Sequence, residues 1–186
     1  MKQTWTTQKL VYIAVLAALV CVVTFFRFPL LGSKVHFANA MCLLSGLLMG
    51  PFAGGLAAGL GSTLYDALFG GYDLINCAVT FVSKFTMAWV CARIAFAGGR
   101  EAGHHGWNVC ACVAGALTYV ALYMAKTFVF QMYIYGYPME TAVLTMGSKL
   151  PASVLNAAAA MIAAPVLYTA LRPALKRAGQ LEKMRP

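Results

Sequence analysis

Acidic residues are the scarcest chemical resource in this chain: five Asp and Glu stand against fourteen Lys and Arg. They occur one by one along the sequence, so no paired-carboxylate acid/base site is on offer. No Walker A sequence is present; Gly-Leu-Gly-Ser-Thr at Gly59 to Thr63 lacks the lysine that reaches nucleotide phosphates. There is no His-Glu-x-x-His run and no serine motif with a base beside it, so no catalytic residue is assigned and an enzyme has no support. Polar linkers are absent too, which argues for one integral membrane domain spanning 1–186. Only 10% of residues are charged and 61% are hydrophobic, where a soluble domain carries about 25% charged residues. These shortages define an all-α, polytopic membrane protein embedded in a lipid bilayer.

The net charge of +9 does not indicate nucleic acid, because the basic residues cluster in the tails and one internal loop. The six cysteines lie in apolar runs without metal-ligand spacing and read as buried thiols. His104-His105 lacks an evident third ligand, so no metal and no cofactor is expected.

Hydropathy divides the chain into six apolar runs, at 10–26, 37–49, 52–69, 74–96, 107–135 and 141–171. The first is longer than a signal-peptide core and is read as a retained helix. The second has 13 residues, short enough to be re-entrant when taken alone. Arg27 to His36 reads as a loop with Pro29 and Gly32 as breakers. Six spans with both termini cytoplasmic place Lys2, Lys9, Arg93, Arg100 and the basic tail inside, leaving only Arg27 and Lys34 outside. Five spans would put the basic tail on the wrong side.

The stretch from Ser33 to Tyr72 organises the rest. A short polar loop (Ser33, Lys34, His36, Asn39) leads into two apolar segments broken at Gly50-Pro51. Small residues at Gly50, Gly54, Gly55, Ala58, Gly59 and Ser62 allow close helix approach. Tightly packed helices with nothing bound would explain that spacing. The polar loop before it and the lone Asp66 at its far end point to a site nearby.

Three lysines, Lys84, Lys126 and Lys149, fall inside apolar runs, where charge is costly and faces a cavity or a partner. At ~1.5 Å per helical residue they lie roughly 16, 14 and 12 Å from the outer ends of their spans. Each belongs to a stripe at helical spacing: Asn76, Thr80, Lys84; then Tyr119, Tyr123, Lys126, Phe130, Tyr133; then Lys149, Ser153, Asn156. Core packing and snorkelling are the plain alternative. Three stripes at matching depth favour a shared outward-facing cavity. With Asp66 as the nearest acid, either some lysines are deprotonated or a bound anion balances them.

The stretch KVHFANAMCLLSGLLMGPFAGGLAAGLGSTLYD, the six spans and the Ala14-xxx-Ala18 pair resemble the substrate-binding S component of an energy-coupling factor (ECF) transporter, in the riboflavin group. The resemblance covers nearly the whole chain. It implies a prokaryotic plasma-membrane protein that binds a small water-soluble vitamin or related micronutrient near the outer face. It further implies toppling against a T subunit driven by two cytoplasmic ATPase subunits, with Ala14 and Ala18 in the T-subunit contact. The binding loop then falls on Lys34, His36 and Asn39, and the three stripes lie where the ligand site should be. A self-contained secondary transporter would usually be larger and carry inverted repeats, and an intramembrane enzyme would need a catalytic constellation that is missing.

Overall fold

The computed structural model describes residues 6–30 and 33–185, so Lys2 and Gly32 lie outside the described residues. Helix α1 (Thr7–Phe25) starts where the Thr6 hydroxyl accepts the Lys9 amide at 3.3 Å. It ends in an antiparallel hairpin of β1 (Arg27–Leu30) and β2 (Ser33–His36), with Arg27 opposite His36. The segment expected as an irregular loop is therefore a two-stranded ribbon. Extended residues on both sides of the turn pair their own backbone groups, which helps satisfy them at a membrane surface.

Helices α2 (Ala38–Met49) and α3 (Pro51–Tyr65) form the next pair. Gly50 turns the chain at φ 81°, and Pro51 opens α3, where its missing N–H costs nothing. The pair is antiparallel and very close: a Cβ at Gly54 would lie 2.5 Å from the Ser45 carbonyl oxygen. The Ser45 hydroxyl instead bonds the carbonyls of Cys42 (2.7 Å) and Gly54 (3.0 Å). Helix α2 is buried at every position except the half-buried Met41. Apolar on all sides, it is the central rod of the bundle.

Around it stand α1, α3, α4 (Leu74–Phe96), α5 (His105–Val129) and α6 (Met139–Arg177), with α7 (Leu181–Met184) at the chain's end. Asp73 caps α4 through the Asn76 amide at 3.1 Å. α3 continues as a π-helical turn at Asp66–Gly70, and α5 as another at Phe130–Ile134. Four helical stretches are long and apolar enough to cross a membrane: Thr7–Phe25, Leu74–Gly99, His105–Ile134 and Met139–Arg177. The last begins earlier and runs further than the expected 141–171. It carries Pro151, Pro165 and Pro173 within it, which membrane helices tolerate better than soluble ones.

The start of α1, the loop after α4 and the end of α6 meet at one end of the bundle. The Lys9 ammonium donates to the Arg185 carbonyl at 3.3 Å, and Tyr12 bonds Gln180. Arg185 pairs with Glu101 at 3.2 Å, and Arg172 donates to the Gly103 carbonyl at 3.2 Å. The described parts of both chain ends, with most of the basic residues, thus share one end, opposite the hairpin.

Candidate functional site

Helix α2 supplies the reason for a cavity. Twelve residues extend ~18 Å at the helical rise, against a hydrocarbon layer of ~30 Å. The centre of the bundle is filled at the end holding the termini and unfilled at the other. The result is a cavity of about 320 Å³ between the start of α2 and the β1–β2 hairpin.

Eleven of the sequence-selected residues line it: Lys34, His36, Asp66, Asn76, Thr80, Lys84, Tyr123, Lys126, Lys149, Ser153 and Asn156. Asn39 does not line it. It lies buried at the start of α2, where its side-chain oxygen accepts a hydrogen bond from the Lys84 ammonium. The stripes on α4 and α6 keep their helical register. The stripe on α5 breaks at its end: Tyr133 is 77% exposed and turns away, while Phe130, Gln131 and Tyr135 face inward. The π-turn causes this change. The Tyr135 amide bonds the Phe130 carbonyl at 2.9 Å, so position i+5 lies above position i.

Asn156 joins α6 to the roof. Its side-chain oxygen accepts the His36 amide at 2.8 Å, and its side-chain nitrogen donates to the Lys34 carbonyl at 2.7 Å. Beneath, Lys84 is 4% exposed, and its ammonium sits 3.8 Å from the Tyr119 ring centroid. Tyr119 and Tyr123 stack with centroids 6.1 Å apart. Arg27 lies over the Tyr65 ring at 4.9 Å and Lys34 over the Tyr72 ring at 5.8 Å.

Positive charge dominates. Arg27, Lys34, Lys84, Lys126 and Lys149 line the cavity, with Asp66 as its sole acid among the described residues. His36 registers this field from its strand outside the helices. Burial first, then the positive charges of Lys84, Arg27 and Lys34, push its imidazole from 6.5 down to about 3. Its Nδ1 atom is buried without a hydrogen-bond partner.

Thr24, Arg27, Ser62, Tyr72, Ser83, Thr127, Gln131 and Tyr135 also line the cavity and were not selected from the sequence as site residues. Thr127 and Gln131 were accessible to that reading, since each continues the Tyr123 face by four residues. Arg27 and Tyr72 come from connecting segments, which carry no helical period.

Ala14 and Ala18 lie on the exposed side of α1, away from Ile13, Leu16, Ala17 and Val20, which face the bundle. Close packing within the chain uses a different small pair. A Cβ at Gly61 would strike the Ala17 carbonyl, so the glycine sets the α1–α3 spacing. His104 and His105 sit at the far end, with His105 Nδ1 3.2 Å from the Thr169 hydroxyl. Among the described residues, no three His, Cys, Asp or Glu side chains come together as a metal site.

Apolar helices of membrane-spanning length around a solute-sized cavity lined by polar and charged side chains define the class as a membrane-embedded protein with a candidate binding site. The family model for the ECF-type riboflavin transporter S component matches residues 4–173, and the chain belongs to that family. As a member, it is a substrate-binding subunit of the ECF transporter type. The fold is similar to the solved structure of the S component of a bacterial ECF transporter. The TM-score is 0.72 at 19% identity, covering 91% of this chain and 98% of that one. No curated protein matches the sequence.

Proposed function

We propose that this protein captures a small water-soluble vitamin or related micronutrient from outside the cell, as the S component of an ECF importer in the plasma membrane. The observation that carries this reading is the cavity of about 320 Å³, bordered by the hairpin and lined with polar groups from five helices, α1, α3, α4, α5 and α6. Its volume falls at the lower end of small-molecule sites. Six spans, formed by one domain over 1–186 with both termini cytoplasmic, orient the cavity outward. The gathering of basic residues at the end holding the termini supports that orientation. A cysteine placed at Gly71 should react with an impermeant reagent in intact cells and one at Gln180 should not; the reverse result removes the topology.

No nucleotide-binding motif lies in the chain, so energy comes from a T subunit and two cytoplasmic ATPases. The exposed Ala14 and Ala18 provide a smooth strip for the T subunit, and toppling against it delivers the ligand inward. The deciding experiment is uptake in vesicles containing the S component alone or with the T subunit and ATPases. ATP-dependent uptake only in the complete assembly supports the proposal. Equal uptake by the isolated chain overturns it in favour of a self-contained transporter.

A further inference from the structure

The charges in the cavity are not evenly distributed. Asp66 and Asp73 lie within electrostatic reach of Lys126, which also feels Lys149, so the two cations on that wall face two acids. The charges acting on His36 are Lys84, Arg27 and Lys34, all positive. The space between the hairpin and Lys84 is therefore cationic, with no carboxylate among those groups. Lys84 has Asn39 and the face of Tyr119 as partners, both neutral. A buried cation ordinarily has a counter-charge, because taking an ion out of water is costly.

We infer that the space between the hairpin and Lys84 is an anion subsite, in which Lys84 and the unpartnered Nδ1 of His36 hold a carboxylate or phosphate of a ring-bearing ligand. The ring then lies along the stacked Tyr119 and Tyr123. The inference rests on the cavity being the solute site and specifies which solutes it accepts. Three observations converge: the all-positive charges around His36, its partnerless imidazole nitrogen and the aromatic wall of Tyr119 and Tyr123. His36 stays neutral here at ordinary pH, so its ring adds one donor or acceptor without adding charge. Specificity comes mainly from Lys84. A neutral analogue would leave that ammonium buried without a counter-charge.

The test uses pairs of compounds that share a ring and differ in an acidic group: riboflavin and its 5′-phosphate, pyridoxal and its 5′-phosphate, nicotinamide and nicotinate. Each is titrated against the full chain in nanodiscs, by intrinsic fluorescence, at low and high salt. For the ring that fits, the acidic member should bind at least tenfold tighter, and the preference should shrink with salt. Lys84→Met should abolish the preference; Lys84→Arg should retain most of it. The wild-type comparison decides the matter even if Lys84→Met fails to fold. A neutral member that binds as tightly as its acidic partner overturns the anion subsite and leaves solute capture standing. If no pair binds, the small molecule released from gently purified protein decides in its place: one without an acidic group overturns the inference. Absence of any saturable small-molecule binding removes both readings.

Discussion

Asn156 accepts the backbone amide of His36 at 2.8 Å across 120 residues of sequence, and returns a 2.7 Å hydrogen bond to the Lys34 carbonyl. One side-chain amide on α6 thus pairs with the inner edge of the hairpin as a neighbouring strand would. Net contributions of about 0.5–1.5 kcal/mol per bond make this latch worth roughly 1–3 kcal/mol. Asn156→Ala should weaken binding of the native ligand roughly fivefold to a hundredfold and speed hydrogen exchange at His36. Unaltered exchange at that amide would show that the hairpin is held by something else.

His36 makes the same latch sensitive to pH. Its imidazole is depressed to about 3 in the docked hairpin, against an ordinary 6.5. As pH falls, the undocked state takes the proton first, so docking is fully favourable above 6.5 and is lost progressively toward 3. Docking of the ligand-free hairpin should weaken by about tenfold between pH 7.5 and pH 5.5. Hydrogen exchange across residues 33–36 reads this directly. In His36→Gln the dependence should vanish; if it persists, another group controls it.

Small residues on the two sides of α1, Ala14 and Ala18 outside and Gly61 of α3 inside, should separate assembly from folding. Leucine at Ala14 and Ala18 adds bulk on the exposed face, so thermal stability and ligand binding should hold while co-purification with the T subunit falls. Gly61→Ala strikes the Ala17 carbonyl, and overpacking of that kind costs typically 1–3 kcal/mol. Its melting temperature should drop. Normal assembly by the double-leucine protein would move the T-subunit contact to another face.

The π-turn on α5 predicts a contrast between two tyrosines near the same helix end. Tyr135→Ala should weaken ligand binding, because Tyr135 lines the cavity, and Tyr133→Ala should not, because Tyr133 points outward. Equal losses at both positions, measured by titration, would mean that the turn relaxes to a regular helix when ligand binds.

Local pattern carried much of this molecule. Scarce charge and long apolar runs established a helical membrane protein, and three- and four-residue spacing found the inward faces of α4 and α6 from Asn76 to Lys84 and Lys149 to Asn156. Those features depend on neighbours three or four residues apart, which the sequence displays directly. Only the tertiary structure decided the rest. The cavity exists because α2 stops at Ala38 while its neighbours continue, a relation between lengths of different helices. Its roof exists because Asn156 meets a strand 120 residues away, and no local period records that meeting. Tyr135 replaces Tyr133 because a five-residue hydrogen bond displaces the usual four, and Asn39 serves Lys84 rather than the cavity. On α1 it is Ala17 that is buried, beside Gly61 of α3, while Ala14 and Ala18 stay exposed. Apart from that local π-turn, each depends on groups meeting across the bundle, where distance along the chain says nothing about distance in space.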